Sequence, residues 1–415
     1  MVLAGAVAVI AGCNAILGTP DPELAPDGGA EASVTADGAA GVDATMQDGT
    51  TADGTTADGT ADGGQATDSA SQDAPGPDSP TDDDAEGDAS APLPPSCPPD
   101  GGPGVTTCGT AGDSCCGSLP VPSGTYFRAY AVLNGVATDF GEQATVSAFR
   151  LDKYEVTVGR FRQFVMASKT WVAPPPGSGI HTYLRDGGGL EETIDGSATY
   201  ETGWDPSWNV DLSQIDGGGQ GHWDNTLTSC GAASTWTNAP STQESLPINC
   251  VDWYEAYAFC IWDGGFLPSE AEWEYASAGG IDYRKYPWGA ADPGVQNLYA
   301  IYGCNYPDGG QVGVDAAGTC MSVANIAPVG SAPMGAAAWG QLDMGGNIFE
   351  WTLDWYDAAW ILPCDDCAQL VPTPFRSTRG GNWWVYDVPM LANNRTWYTP
   401  ITRDFKGGIR CARAP

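Results

Sequence analysis

The chain has 415 residues, and its 52 acidic and 16 basic side chains give it a formal net charge of −36. Half of that charge lies in residues 21–96, which hold 18 acidic residues, and no Lys or Arg occurs before Arg128. Such a charge balance argues against nucleic-acid binding, because the chain offers no basic stripe for phosphates to meet. We therefore predict that nucleic acid is not a partner.

The N-terminal residues 1–18 are uncharged and mostly apolar. They are too short and too rich in Gly and Ala for a membrane-spanning helix. The stretch IAGC (10–13) is similar to the lipobox of bacterial lipoprotein signals, in which the Cys becomes the lipidated N-terminus. The usual positively charged start is missing, and an ordinary cleaved signal with an incidental Cys is the alternative. We predict a signal at 1–13, lipidation of Cys13, and an exported envelope lipoprotein, at the outer membrane or cell surface.

Residues 14–96 are composed mainly of Ala, Asp, Gly, Thr, Ser and Pro, and the sequence Thr-Ala-Asp-Gly recurs at 35–38, 51–54, 56–59 and 60–63. Large apolar side chains are almost absent. Such a segment cannot bury enough surface to offset the entropy of ordering it. It is therefore predicted to be a disordered acidic linker.

Cysteine usage also indicates an exported protein. Without Cys13, twelve Cys remain, an even number that favours disulfides in such a chain. Most of them fall into local groups: 97, 108, 115 and 116; 230 and 250; 304 and 320; 364 and 367. Cys260 and Cys411 are left over and would need a long-range bridge. Sequence alone leaves the connectivity open. A Cys-rich segment, residues 97–120, precedes the predicted domain at 121–415.

The hydrophobic periodicity of this domain predicts few regular secondary-structure elements. Three amphipathic helices are predicted: Thr157–Ser168, Asp252–Trp262, and Ser269–Ala276 with a Ser-Glu capping box. The stretch 170–245 has no periodicity and is predicted to form long loops. These features predict a single α+β domain with low regular content and many disulfides.

Several blocks, in the same order, resemble the sulfatase-modifying factor, or formylglycine-generating enzyme, family. They are FRLDKYEVT (149–157), LPINCVDW (246–253), LPSEAEWEYA (267–276), YPWG (286–289), PVGS (328–331), DMGGNIFEW (343–351), RGGNW (379–383) and GIRCAR (408–413). The resemblance covers residues 121–415. It implies a C-type-lectin-like fold with bound calcium and, in the family's oxidases, copper-dependent conversion of a sulfatase cysteine to formylglycine.

The same resemblance places one calcium site on a glycine turn, at Asp343, Gly346, Ile348 and Glu350. Calcium prefers six to eight oxygen ligands, which carboxylates and backbone carbonyls can supply. The alternative is a turn in which Glu350 bonds backbone amides without a metal. A second family site would begin at Asn297 and Leu298. The family also implies a disulfide between Cys260 and Cys411.

The family's catalytic region maps to Asn382, Trp383 and Val385, and here the chain departs from the oxidases. Copper(I) is held by two thiolates, yet Val385 occupies the first of the two cysteine positions, and Asn382 replaces the motif's serine. No Cys occurs between Cys367 and Cys411. Copper is therefore not expected.

Other residues could in principle replace the missing copper-binding cysteines. Cys364 and Cys367 have CxxC spacing, which in a disulfide-rich exported chain favours a small loop disulfide over a redox pair. The two histidines, His181 and His222, lie in a Gly-rich loop region and are expected at the surface rather than in an iron site. Glu270 and Glu274 share a helix face, where a solvated or capping role is expected.

These observations predict an envelope-tethered, calcium-containing binding or structural module without the copper pair. Its ligand, a protein or a glycan, is not specified by the sequence. The alternative is an active oxidase of the same family with a non-standard site.

Overall fold

The computed structural model describes residues 93–415 except 134–135, 168–172, 195, 210–218, 310–319 and 385–389. The predicted signal, Cys13 and nearly all of the predicted linker lie outside the described residues. None of the described helices has the length and apolarity that crossing a bilayer requires.

Four α-helices occur in the described part of the chain: α1 (Val158–Ala167), α2 (Gly219–Leu227), α3 (Trp253–Trp262) and α4 (Glu270–Ala278). Local sequence explains where α3 and α4 begin. Each has a capping box, in which Asp252 or Ser269 accepts from the third helical N–H and a Glu reaches back. A left-handed Gly279 ends α4. The three predicted helices are therefore confirmed, with shifts of one or two residues at their ends.

Short strands make up the rest of the regular structure. They are β1 (Ser118–Val121), β2 (Gly124–Phe127), β3 (Ala131–Leu133), β4 (Val136–Thr138), β5 (Gln143–Val146), β6 (Phe149–Asp152), β7 (Glu191–Ile194), β8 (Ser197–Tyr200), β9 (Phe349–Trp355), β10 (Cys364–Asp365), β11 (Arg376–Arg379), β12 (Thr396–Tyr398), β13 (Gly407–Gly408) and β14 (Ala412–Arg413). The described sheets have the orders β1-β6-β14, β10-β5-β2, β12-β11-β9-β13, β3-β4 and β7-β8. The expected α+β class with little regular structure is confirmed.

The sheet that contains β9 organises the molecule. β9 pairs antiparallel with β11 and parallel with β13, and it is buried along almost its whole length. Helices α1 and α3 pack on one side of it in the largest hydrophobic cluster, and α4 packs in a second cluster. Large aromatic side chains, among them Trp253, Trp273 and Trp351, fill both and are almost completely buried. Burying them is the main favourable contribution to folding.

The predicted loop region, 170–245, contains more structure than expected. It holds the β7–β8 hairpin and helix α2. All four residues of β8 are exposed, so the strand lacks the alternation that a sequence pattern would reveal. Helix α2 contains poor helix formers, but Trp223 and Leu227, four residues apart, are buried in the core. Tertiary packing overrides local propensity here.

The Cys-rich segment belongs to the same compact unit as the domain. The backbone N–H of Ser96 donates to Asp263 Oδ1 at 2.9 Å, and its hydroxyl accepts from Arg160 Nε at 3.0 Å. The approach is close at Gly104, where a Cβ would stand 1.9 Å from the carbonyl oxygen of Glu244. The Cys-rich segment is therefore packed against the domain that follows it.

Candidate functional site

The glycine turn, residues 343–348, leads directly into β9. Asp343 and Gly346 have positive φ angles of 61° and 97°. The N–H of Gly346 donates to the carbonyl of Gly380 at 2.7 Å. A Cβ at Gly346 would lie 2.6 Å from the carbonyl oxygen of Ile301, so only glycine fits without a shift of the backbone. The turn is thus fixed by backbone contacts on two sides.

The family's catalytic region lies against this turn. The N–H of Trp383 donates to the carbonyl of Asn347 at 2.8 Å, and the carbonyl of Trp383 accepts from Cys304 at 2.8 Å. The Trp383 side chain is fully buried. Asn382 is 5% exposed, and its Oδ1 accepts from the N–H of Trp384 at 3.0 Å. The third predicted residue, Val385, lies outside the described residues.

A buried ion-pair network holds Arg379, the residue with which the RGGNW segment (379–383) of the family's catalytic region begins. Arg379, at the end of β11, donates to Glu270 Oε1 at 3.0 Å and to Glu274 Oε2 at 2.7 Å. Both carboxylates are almost completely buried. The expectation of a solvated or capping role for Glu270 and Glu274 is therefore wrong. Their i, i+4 spacing matters because it lets both reach one guanidinium.

Carboxylates surround the glycine turn on its other side. Glu350 accepts from Arg410 at 2.7–3.0 Å and from Trp273 Nε1 at 2.6 Å. Glu155 accepts from Asn347 Nδ2 at 2.7 Å. All of these side chains are buried. Arg410, which is distant in sequence, is therefore the positive charge that these carboxylates surround. The sequence gives no signal for this role.

Two carboxylates near Arg410, those of Glu155 and Asp343, have raised pKa values. Burial, followed by the charges of Asp343 and Glu350, raises the pKa of Glu155 well above its ordinary value. Burial, with a contribution from Glu350, raises the pKa of Asp343 to about 6. Three carboxylates lie around one guanidinium, so the cluster tends to take up a proton or a cation.

The predicted calcium set on the turn has one ligand already engaged. Both oxygens of Glu350 accept hydrogen bonds from Arg410, and one also accepts from Trp273. A calcium ion bound by Asp343, Gly346, Ile348 and Glu350 would have to share that carboxylate with a guanidinium. The residues present fit calcium here only if Arg410 moves.

The second predicted position has free oxygen donors. Asn297 adopts a positive φ of 56°, and its Nδ2 donates to the carbonyl of Asn305 at 3.2 Å. The buried Oδ1 of Asn297 has no hydrogen-bond partner among the described residues, and the same holds for both side-chain polar atoms of Asn305. The carbonyl of Leu298 accepts from Met334 at 3.1 Å. Orphaned buried amide oxygens suit an oxygen-preferring cation. Asn305 was missed by sequence reasoning because a lone Asn gives no signal.

All twelve cysteines after Cys13 are joined in six disulfides. The pairs are Cys97–Cys116, Cys108–Cys115, Cys230–Cys250, Cys260–Cys411, Cys304–Cys320 and Cys364–Cys367. The structure thus contains the long-range bridge implied by the resemblance and the small CxxC loop. Cys364 and Cys367 are 5% and 2% exposed. No described cysteine offers a free thiol.

His181 does not lie at the surface, as expected from its loop position, but is fully buried. Its Nδ1 lies 3.0 Å from Glu201 Oε2, and its Nε2 lies 3.2 Å from Glu272 Oε2. Burial opposes the charged ring, but the two carboxylates outweigh it and raise the pKa of His181 to about 10. The ring is therefore a buried cation. Glu272 thus both caps α4 and holds this histidine. The side chain of His222 lies outside the described residues.

The family model for the sulfatase-modifying factor enzyme 1-like domain matches residues 111–415. The chain belongs to the sulfatase-modifying factor family. Curated relatives share about the same identity with it but differ in what they are named for. A formylglycine-generating enzyme of Thermomonospora curvata is 30% identical over 199 residues, which is 45% of this chain and 60% of that protein. A hercynine oxygenase of Mycobacterium tuberculosis is 31% identical over 173 residues, 40% of this chain and 36% of that protein.

A third relative, from Bos taurus, is named inactive C-alpha-formylglycine-generating enzyme 2. It is 31% identical over 174 residues, 40% of this chain and 50% of that protein. The chain thus matches between about a third and three fifths of the length of these relatives. Family membership establishes the fold. It does not establish the activity, because a formylglycine-generating enzyme, a hercynine oxygenase and a relative named inactive match at nearly equal identity. The chemistry must therefore be argued from this chain's own site.

Proposed function

We propose that this protein is a binding module built on the sulfatase-modifying factor fold, without the copper-dependent oxidase chemistry. The observation that carries this proposal is the state of its cysteines. Copper(I) needs soft thiolate ligands, and every cysteine after Cys13 is engaged in a disulfide. The thiolate pair that the family's oxidases use therefore has no counterpart in the domain.

The contacts of the catalytic region support a structural use of those residues. Asn382 accepts from the backbone of Trp384, and Trp383 is clamped between Asn347 and Cys304 by backbone hydrogen bonds. The side-chain oxygen of Asn382 is therefore used to hold the local backbone. An oxidase that uses Cys364 and Cys367 instead is disfavoured because both sulfurs are bonded to each other and buried.

The test is a direct assay for formylglycine. The full chain is incubated with copper, oxygen and a sulfatase-derived peptide that contains the target cysteine, and the peptide mass is followed. The formylglycine-generating enzyme of Thermomonospora curvata serves as the positive control. We expect no conversion by this protein. Formylglycine that forms with copper and disappears when copper is removed would overturn the proposal.

Calcium is proposed as a structural ion of this module. Asn297 and Asn305 support a site because their amide oxygens are buried and have no hydrogen-bond partner in the described part of the chain. The turn at Asp343 and Glu350 is the second place, and calcium would fit there only if Arg410 released the Glu350 carboxylate. When bound, calcium would cross-link loop carbonyls and amide oxygens. Elemental analysis of the purified protein, before and after chelation, measures how many ions it holds.

A lipid anchor at Cys13 is the proposed attachment to the cell envelope, and it rests on the lipobox-like IAGC (10–13). Detergent phase partitioning of cell extracts tests it. The native protein should enter the detergent phase, and a Cys13→Ser variant should enter the aqueous phase. Equal partitioning of the two proteins would refute lipidation at this residue.

A further inference from the structure

A cavity of about 220 Å³ opens beside β9 and β11, the two central strands of their sheet. Its walls are aromatic, with Trp208, Trp253, Tyr257 and Trp355 among them, and Arg376 also lines it. At about 30 Å³ for each water molecule in the liquid, the space corresponds to about seven waters. That is enough for one ring-sized chemical group.

Arg376 is the unusual group in this cavity. It is 3% exposed, and its guanidinium carbon lies 3.5 Å from the ring centroids of both Trp253 and Trp355. Its Nη1 donates to the carbonyl of Leu353 at 2.6 Å. Its Nε has no hydrogen-bond partner among the described residues. No carboxylate of the described residues lies within ion-pair distance of it. A cation held in this way presents unused donors.

Electrostatics agree with this geometry. Burial lowers the pKa of Arg376 to about 9, whereas the buried Arg379, three residues later, has its pKa raised by Glu270 and Glu274 despite its burial. A buried, unpaired charge is costly because water no longer solvates it. A ligand oxyanion would offset that cost, and a carboxylate matches the planar fork of a guanidinium.

A second buried polar group lines the same cavity without a partner. The hydroxyl of Tyr257 is buried and has no hydrogen-bond partner among the described residues, and the residue is 1% exposed. Native proteins rarely leave such a group unsatisfied unless a water or ligand completes it. Two independent orphans in one aromatic cavity therefore indicate a built site.

The rest of the lining narrows the ligand class. Thr199, Thr202, Glu201 and Asp205 also line the cavity and bring hydroxyl and carboxylate oxygens to it. Glu201 is turned toward His181, from which it accepts at 3.0 Å, while Asp205 is exposed. Acceptors of this kind suit a ligand that donates hydroxyl hydrogens, and they repel a second negative charge. Flat aromatic walls suit the apolar faces of a ring.

We propose that this cavity binds a sugar acid, with the carboxylate on Arg376, one hydroxyl on Tyr257 and the ring against the aromatic wall to which Trp208 contributes. A sugar acid combines a single carboxylate with several hydroxyl donors on one ring. The inference rests on the binding function proposed above, for which it names a ligand class.

Calorimetric titration of the full chain with D-glucuronate tests the proposal, with D-glucose as the matched ligand that lacks the carboxylate. Glucuronate should bind saturably, with a Kd of about 1 mM or tighter, and glucose at least about tenfold more weakly because Arg376 is left unpaired. A dipeptide with a C-terminal aromatic residue is the third ligand, since it also carries a carboxylate and a ring. We expect it to bind more weakly than glucuronate.

Two variants locate the binding site. Arg376→Gln should weaken glucuronate binding about tenfold or more, and Tyr257→Phe about fivefold. Tyr257→Phe keeps the shape of the ring, and it should fold normally because none of the described residues hydrogen-bonds the hydroxyl. Arg284→Gln, which removes a partly exposed guanidinium paired with Asp282, is the control for lost charge and should leave binding unchanged.

Each contrary result has a distinct meaning. No saturable glucuronate binding by the folded native protein overturns the inference, and so does equal binding of glucose. Tighter binding of the dipeptide would replace it with recognition of peptide C-termini. Unchanged binding by Tyr257→Phe and Arg376→Gln would move the site elsewhere. Formylglycine formation together with glucuronate binding would refute only the proposed loss of oxidase chemistry.

Discussion

Two buried arginines distinguish the glycine turn from the aromatic cavity. Arg410 donates to Glu350 and to the carbonyls of Asp152 and Leu342. Arg376 donates to one carbonyl and stacks on two tryptophans. The first arginine is completed by the protein, and the second is not. The arginine at the glycine turn is thus paired within the protein, while the arginine in the aromatic cavity keeps a donor, Nε, without a partner among the described residues.

The largest expected effect is that of replacing Arg410, the arginine that is paired within the protein. Arg410→Met should lower the free energy of unfolding by about 3–5 kcal/mol at neutral pH, because three buried carboxylates lose the guanidinium between them. Denaturant unfolding measures it. Lys153→Met is the control, since Lys153 and its partner Asp113 are 24% and 41% exposed, and it should cost less than about 1 kcal/mol. Similar losses for the two variants would contradict the contrast between the regions.

His181, held by Glu201 and Glu272, predicts an alkaline loss of stability. Its pKa is about 10 in the folded protein and 6.5 in the unfolded chain. The contribution is therefore complete below pH 6.5 and is lost as the pH rises toward 10. Between these values the folded state binds one more proton, so stability should fall by about 1.4 kcal/mol per pH unit. Unfolding curves from pH 7 to 9 measure the slope. A His181→Gln variant should flatten it, and an unchanged slope would exclude His181 as its source.

Calcium-dependent stability distinguishes the two predicted calcium positions, Asn297 and the glycine turn. If Asn297 holds the ion, saturating calcium at about 100 times its Kd should stabilise the protein by about 2.7 kcal/mol. Asn297→Ala should abolish most of this increment, and Asp343→Asn tests the turn in the same way. Thermal unfolding with calcium or with a chelator provides the readout. Calcium stabilisation that survives both substitutions would show that the ion binds at another place.

The smallest expected effect on stability is that of replacing Arg376, the arginine in the aromatic cavity. Arg376→Met should change the free energy of unfolding by less than about 1.5 kcal/mol, or even increase it, because an apolar chain replaces an unpaired buried charge. The measurement is the denaturant unfolding used for Arg410→Met. A loss as large as that of Arg410→Met would mean that Arg376 is a structural brace, and the reason for a ligand on it would disappear.

Sequence reasoning succeeded where the signal is local. The capping box predicted at Ser269 involves only four neighbouring residues, 269–272, and the structure contains it at the start of α4. The disulfide between Cys260 and Cys411 came from family resemblance, and the structure contains it.

Sequence reasoning failed where charged side chains meet across long stretches of chain. His181 lies in an irregular loop and meets Glu272 91 residues later, and nothing near either residue reveals the pair. The sequence predicts a solvated or capping role for Glu270 and Glu274 because their partner, Arg379, lies about a hundred residues later, on β11. The aromatic cavity takes its lining from the β7–β8 region, α3, β9 and β11. Such sites become visible only when the chain is folded.

The bridge between Cys260 and Cys411 has a consequence for how the protein withstands cleavage. It links residues 151 positions apart, so a single cut anywhere between them leaves both fragments covalently joined. The bridge also ties α3 to the C-terminal strand β14 through residue 411, next to Arg410. A protease that nicks an intervening loop would therefore release no fragment until the disulfide is reduced. On a gel, such damage would appear only under reducing conditions.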